Sequence, residues 1–272
     1  MSSLDSDGAV AAKVRSVSSR IAVLGLGEAG GRLAADLAAA GADVHGYDPV
    51  AVSTPEGVAR AASPEEAVSG SAVVLGLTTA RTARDALDAV LPALRDVALY
   101  ADLNTGPPQL KRELAERVEA AGAAFADVAL LGPIPTRGLG APALASGAGA
   151  QAFADALAPY GMPVRVVSAV PGDAAAMKLV RSVFMKGLAA CAIESLRAAD
   201  AAGCREWLEA ELAAVIGEEL LERLVEGSRM HAARRVEEME AASALLRDLR
   251  IEPRIADASG AALAALAEGR ER

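Results

Sequence analysis

Aromatic residues are scarce in this chain: one tryptophan, three tyrosines and three phenylalanines among 272 residues. The hydrophobic share is nonetheless 53%, much of it alanine. Such a core packs small side chains closely, which favours helices and parallel sheets over aromatic-rich sandwiches. Cysteine is almost as rare. Cys191 and Cys204 have no metal-type spacing, so no metal site is expected, and the pair reads as two buried thiols in a reducing cytosol. Basic charge is also short, with 27 Lys and Arg against 36 Asp and Glu for a net charge of −9. That balance excludes a broad nucleic-acid-binding face. No stretch approaches the uncharged eighteen-residue run of a membrane helix, and "MSSLDSDGAVAAKVRSVSSR" holds no secretory apolar core. Residues 1–19 read as a disordered tail on a soluble, cytoplasmic protein.

The chain is long enough to bury a sizeable core in one large domain or two modest ones. From Ile21 to about Ser168, short apolar runs alternate with alanine-rich helical stretches. "IAVLGL" precedes "GRLAADLAAAG", "SAVVLGLTT" precedes "ARTARDALDAVLPALRD", and "VALYADLNT" precedes "PPQLKRELAERVEAAG". "DVHGYD" and "AAFADVALLG" read as strands, with "APALASG" and "PVRVVS" as late strands around "AQAFADALAPYG". This alternation predicts a parallel sheet covered by helices on both sides. After "SAVPGD" the strand-like runs stop, and residues 174–250 are nearly all helix formers. Pro171 and Gly172 punctuate the change. The division expected is residues 20–170 as a nucleotide-type α/β domain and 171–272 as an all-α domain.

Directly behind the first strand stands Gly25-Leu26-Gly27-Glu28-Ala29-Gly30, the spacing G-x-G-x-x-G. Gly25 permits a tight turn, Gly27 admits a pyrophosphate close to the main chain, and Gly30 lets helix and strand pack. The helix start then offers unpaired N–H groups to phosphate oxygens. A second strand ends in Asp48, placed to accept from a ribose 2′-hydroxyl and to repel a 2′-phosphate. The expected cofactor is NAD, with NADP second.

In an open parallel sheet, ligands bind beyond the carboxyl ends of the strands. Thr78 and Thr79 follow one such end; they are equally suited to capping the next helix. Asn104 and Thr105 follow another, with an amide and a hydroxyl able to orient a nicotinamide or substrate, in a stretch that is also a good turn. A third segment, "DVALLGPIPTRG", begins at Asp127.

Together these stretches resemble the superfamily of β-hydroxyacid dehydrogenases and 6-phosphogluconate dehydrogenase-like enzymes. "GLGEAG" resembles its glycine motif, and "DLNTGPP" its D-x-S-T-x-x-P segment with Asn104 in place of serine. "GDAAAMKLVRS" resembles its active-site helix and sets Lys178 at the catalytic lysine. The resemblance implies an N-terminal Rossmann domain (doubly wound, mainly parallel) followed by an all-α C-terminal domain of the shorter kind. The chain departs from the pattern where a serine and two glycines would hold a hydroxy acid, having Leu130, Leu131 and Gly132 instead. It also lacks the asparagine expected after the lysine, with Arg181 and Ser182 standing there.

Hydride transfer from an alcohol needs an acceptor for its proton, and the reverse needs a donor. A lysine serves if desolvation lowers its pKa from roughly 10.4 toward about 7–8. On a helix Lys178, Ser182 and Met185 share one face, with Arg181 about 60° away. That face is expected to look into a cleft between domains, with Arg181 near a substrate carboxylate or phosphate. A solvated surface lysine is the plain alternative. His231 is a further candidate for the substrate pocket, while His45 reads as structural and Arg234–Glu238 as a solvated ion pair. The function expected is an NAD(P)-dependent oxidoreductase acting on a small polar alcohol or carbonyl. Imine reduction is the first alternative, and a dinucleotide-responsive regulator without turnover is the second. Apolar helical positions including Phe184, Leu188, Trp207, Leu208, Leu212, Leu220, Leu224 and Leu245 exceed what one short layer hides. They predict a homodimer through the helical domain, which the resemblance also implies.

Overall fold

The computed structural model describes residues 20–51 and 53–269. The expected disordered tail, residues 1–19, lies outside the described residues. Internal contacts divide the chain into two compact units, the first ending at Lys178 and the second beginning at Leu179.

The first unit is built on an eight-stranded sheet. Its strands are β1 (Arg20–Leu24), β2 (Asp43–Tyr47), β3 (Ala59–Arg60), β4 (Val73–Gly76), β5 (Leu99–Asp102), β6 (Ala124–Leu130), β7 (Ala143–Ser146) and β8 (Val164–Ser168). They lie in the order β3-β2-β1-β4-β5-β6-β7-β8. Neighbours run parallel except β6 and β7, which are antiparallel. The connecting helices are α1 (Glu28–Ala39), α2 (Pro64–Val68), α3 (Ala83–Val90), α4 (Pro108–Ala120), α5 (Ile134–Arg137) and α6 (Ala150–Leu157).

Why the central strands read as continuous apolar runs is explained by their two buried faces. Ile21 and Val23 of β1, Val73 and Leu75 of β4, and Ala126 and Val128 of β6 join one core, with Leu33 and Leu37 of α1 and Phe153 and Leu157 of α6. The alternate residues Ala22, Leu24, Val74, Tyr100 and Phe125 join the other core, with Leu87 of α3 and Leu114 and Val118 of α4. Burying each large aliphatic or Phe side chain contributes about 1.5–3 kcal/mol. Because β1 is flanked by β2 and β4, the chain's direction of winding reverses beside it. The strand order of the first six is that of a dinucleotide-binding sheet, whose ligand crevice opens at such a reversal.

Two elements between residues 49 and 70 were not among the strands and helices expected. β3 pairs with β2 through only two residues, both exposed, which gives no apolar run to read. α2 is five residues long and is capped by Ser63, whose Oγ accepts from the Glu66 N–H at 3.2 Å. His45 sits within β2, its Nε2 3.2 Å from Asp43.

A 30-residue helix, α7 (Asp173–Ala202), begins in the first unit and continues in the second. The second unit adds α8 (Arg205–Ile216), α9 (Glu218–Met230), α10 (Ala232–Asp248) and α11 (Arg254–Ala267). Ala192, Ile193 and Leu196 of α7 pack with Leu221 and Val225 of α9. Leu179 of α7 packs with Met239 and Ala242 of α10 and Leu263 of α11. Cys191 is exposed and Cys204 half-buried, which corrects the expectation of two buried thiols. Among the described residues, no helix is long and apolar enough to cross a membrane.

Candidate functional site

The glycine turn joins β1 to α1 as the spacing requires. Gly25 has φ +100°, and a Cβ there would run into the Leu77 carbonyl. A Cβ on Gly30 would strike the Gly25 carbonyl and crowd the Leu77 side chain. Gly27 differs: it is exposed, and a Cβ there would meet no heavy atom within 4 Å. Gly27 also caps α1 with no side-chain bond to the helix amides. The space above Gly27 and the first turn of α1 therefore fits a phosphate group approaching bare main chain. Leu26 is buried, while Glu28 and Ala29 form the exposed and half-exposed start of the helix.

Asp48 is tied to the same turn. Its Oδ2 accepts from the Leu26 N–H at 2.7 Å, and its Oδ1 accepts from Val50 and Ala51 at 2.8 and 2.9 Å. Partial burial works against the ionised form, but these three amides and nearby Arg60 outweigh it and hold the carboxyl below its usual range. Arg60 is occupied elsewhere: its Nη2 donates to the carbonyls of Asp48 and Ala51 at 3.0 and 2.8 Å.

At the end of β4, Thr79 turns toward Thr82, their hydroxyls 2.9 Å apart at the start of α3. Thr78 faces the next strand end, accepting from Asn104 Nδ2 at 3.4 Å. Asn104 also donates to Asp102 Oδ1 at 2.5 Å. Beside it Thr105 Oγ1 accepts from Lys178 Nζ at 2.7 Å. The structure thus brings Thr78, Asn104, Thr105 and Lys178 together, and it brings Leu26 together with Asp48. At the end of β6, Leu130 is buried, and Leu131 packs with Ala129, Leu144 and Ala174. Gly132 stands next to the exposed Arg137.

A second set of charges lies beneath these residues. Lys111, Asp102 and Asp127 are all fully buried. Lys111 Nζ is 2.6 Å from Asp102 Oδ2 and 3.1 Å from Asp127 Oδ1. Burial, then the neighbouring Asp127, push the Asp102 carboxyl up against the pull of Lys111. For Lys111, burial opposes the charge, but the two carboxylates outweigh it and keep the ammonium protonated. Asp127 Oδ2 meanwhile accepts from the Gly172 and Ala175 N–H groups at 3.2 and 3.0 Å, capping the start of α7. Sequence reasoning passed over Lys111 and Asp102. The available signal was two acids ending adjacent strands, which the register sets side by side; like charges so placed require a cation.

Removing that cation has a calculable consequence. Lys111→Met is expected to cost about 3–5 kcal/mol at neutral pH, because two buried carboxylates lose their partner. A carboxyl whose folded pKa is raised, as that of Asp102 is, binds its proton more tightly when folded. Its contribution is fully present below the ordinary Asp value, about 3.9, and is lost as pH rises through the folded value. The variant should therefore be more stable relative to wild type at pH 5 than at pH 8, as read by urea unfolding at both.

In the second unit Arg181 is exposed on α7, and Ser182 is buried. Ser182 Oγ bonds Glu238 Oε1, which also accepts from Lys186 Nζ at 2.9 Å. Glu238 is thus part-buried against Lys186, which corrects its reading as part of a fully solvated pair. Burial lowers the Lys186 pKa despite that carboxylate. His231 lies at the joint of α9 and α10, where its carbonyl accepts from the Arg235 N–H at 3.1 Å.

A mostly parallel sheet with this strand order, a glycine turn open at Gly27 and an acid just past β2 define a dinucleotide-binding protein. Residues 20–159 match the family model described as the NAD binding domain of 6-phosphogluconate dehydrogenase, and the chain belongs to that family. Residues 199–266 match a domain of unknown function, DUF1932. A curated relative, the uncharacterized 28.5 kDa protein in the 7S RNA 5′ region of Methanothermus fervidus, is 28% identical over 144 residues. That match covers 52% of this chain and 55% of the relative, so the chain spans about half the length of the curated relative it matches.

Solved structures match over more of the chain. A conserved protein of unknown function, described as structurally similar to 3-hydroxyacid dehydrogenases, is 29% identical over 92% of this chain and 98% of its own, with TM-score 0.69. The Mycobacterium tuberculosis 3-hydroxyisobutyrate dehydrogenase with L-serine is 19% identical, with coverages of 93% and 95% and TM-score 0.76. A reductive aminase from Aspergillus terreus with NADPH and ethyl-5-oxohexanoate is 21% identical, with coverages of 93% and 96% and TM-score 0.65. These last two share the fold.

Proposed function

We propose that this chain is an NAD-dependent oxidoreductase acting on a small polar alcohol or its carbonyl, a hydroxy acid included, with Lys178 as general acid and base. The observation that carries the reading is the 2.7 Å bond from Lys178 Nζ to Thr105 Oγ1, at the strand end beside Asn104. A bound nicotinamide supplies or accepts the hydride. Thr105, while accepting from Lys178, keeps its own hydroxyl proton to donate, so the pair passes a proton in either direction. Asn104 orients a neighbouring amide or hydroxyl, and Thr78 steadies Asn104. The test is a panel of alcohols, hydroxy acids, ketones and imines assayed with NAD(H) and NADP(H). Turnover of an alcohol or carbonyl supports the reading. Cofactor binding with no turnover across the panel makes the chain a dinucleotide-responsive regulator.

A second reading, reduction of a C=N bond, is favoured by the apolar Leu130 and Leu131 in the segment where the family pattern has a serine and two glycines. The reductive aminase of the same fold is consistent with it. Selective turnover of imines in the same panel would replace the first reading.

The preference for NAD rests on Asp48 and Arg60. A 2′-phosphate would face a carboxylate kept ionised by three amides, and the nearest guanidinium is bonded to two carbonyls. NADH is expected to bind at least about tenfold more tightly than NADPH, roughly 1.4 kcal/mol, by fluorescence titration.

We further propose a homodimer through the helical unit. Val180 and Phe184 of α7 are 52% and 68% exposed, and Ile255 of α11 is 61% exposed. A second copy covering these apolar side chains removes them from water. Light scattering at micromolar concentration should return twice the chain mass of 27.5 kDa.

A further inference from the structure

A fully buried ammonium between two fully buried carboxylates is a poor way to stabilise a fold, since the desolvation of three charges offsets much of their attraction. What distinguishes this set is what its two carboxylates hold. Asp102 accepts from Lys111 Nζ through Oδ2 at 2.6 Å and from Asn104 Nδ2 through Oδ1 at 2.5 Å. It thereby governs the loop that carries Asn104 and Thr105. Asp127 accepts from the Gly172 and Ala175 amides and from Ser146 Oγ at 3.1 Å, and Ser146 Oγ in turn accepts from the Ala174 N–H at 3.0 Å. It thereby governs the first turn of the helix that carries Lys178. Lys111 bridges the two, donating also to the Asp102 main-chain carbonyl at 3.0 Å.

We propose that Lys111 is a positioning residue: by gripping Asp102 and Asp127 together it fixes the Thr105 loop against the start of α7 and so sets where the Lys178 ammonium stands. No part of Lys111 reaches the crevice; it acts through the two carboxylates. A helix start held by one carboxylate tolerates rotation about that point, whereas one held jointly with the facing loop does not. The distance from the cap at Gly172 to Lys178 is six residues, about 9 Å of helix, so a small tilt at the cap moves the ammonium off Thr105. Positioning of this order is worth far more to a reaction than to folding stability. The proposal takes Lys178 as the working group from the reading above, yet its test requires no substrate and no turnover.

The chain holds four lysines, Lys13, Lys111, Lys178 and Lys186, so protein made with lysine labelled by 13C at Cε gives four resolvable signals, assigned with Lys178→Arg. The informative variant is Lys111→Met with Asp102→Asn. It keeps the formal charge of the cluster at −1 (one cation and two anions replaced by one anion) and leaves Asp127 on its helix amides. The side-chain volumes stay close to native. With the melting temperature held within about 5 °C, the Lys178 Cε order parameter is expected to fall below about 0.6 while that of Lys186 stays at its wild-type value. An unchanged Lys178 signal in the folded double variant overturns the proposal. Should the double variant not fold, Asp102→Asn alone cuts the same arm while leaving Lys111 paired with Asp127, and is read by the same two outcomes. If turnover survives in Lys178→Ala, the functional reading fails while the positioning result stands on its own.

Discussion

Gly27→Val is expected to fold as well as the wild type and to lose NADH binding by at least about 100-fold, roughly 2.8 kcal/mol. The two halves of that expectation have separate causes. Folding is spared because Gly27 has φ −64° and ψ −164°, extended backbone open to a β-branched residue, and because its Cβ direction is empty to 4 Å. Binding is lost because that same empty space is where main-chain amides at the start of α1 would meet a phosphate, and two methyl groups there hold it off. The neighbouring glycines make the control. Gly25→Val combines a φ of +100° with a collision against the Leu77 carbonyl, so it should fail by unfolding rather than by loss of affinity. Calorimetry of both variants, beside their melting curves, separates a ligand cradle from a packing turn. A Gly27→Val protein that binds NADH normally would remove the cofactor from this turn.

That separation was only partly legible in the sequence. The spacing G-x-G-x-x-G behind "IAVL" and the acid at Asp48 follow from period and turn chemistry, and the alternating apolar runs gave the two-faced sheet, because each central strand is buried on both sides. The bond between Lys178 and Thr105 was not legible. It joins positions 73 residues apart, and no periodicity reports such a contact. Lys111 was hidden for a different reason. In "PPQLKRELAERVEAAG" it looks like one charge among several on a solvated helix, and only the register that sets Asp102 beside Asp127 reveals the need for a buried cation. The position of Asp48 after β2 suits a ribose acceptor, and the structure adds a task that the sequence conceals, holding the Leu26 amide of the turn itself. The thiols went the other way: composition put Cys191 in the core, and the face of α7 that it occupies is exposed.

Lys178→Ala is expected to lower kcat by about 10²–10⁴, the range for removing a general acid or base, with NADH affinity unchanged because the phosphates are held at the glycine turn of residues 25–30. Thr105→Val deletes only the hydroxyl that Lys178 contacts, and the two substitutions together report how the proton travels. If Thr105 merely parks the ammonium, its loss leaves kcat near wild type and the effects of the two variants add. If Thr105 hands the proton on, Thr105→Val alone lowers kcat by at least about tenfold, roughly 1.4 kcal/mol of barrier. The double variant is then no slower than Lys178→Ala, because groups that act as one unit cannot be lost twice. The relay is the expected outcome. A hydroxyl accepting from an ammonium at 2.7 Å has its own proton left to donate to a second acceptor. Full additivity in the double-mutant cycle would assign the chemistry to Lys178 alone and leave Thr105 as its resting partner.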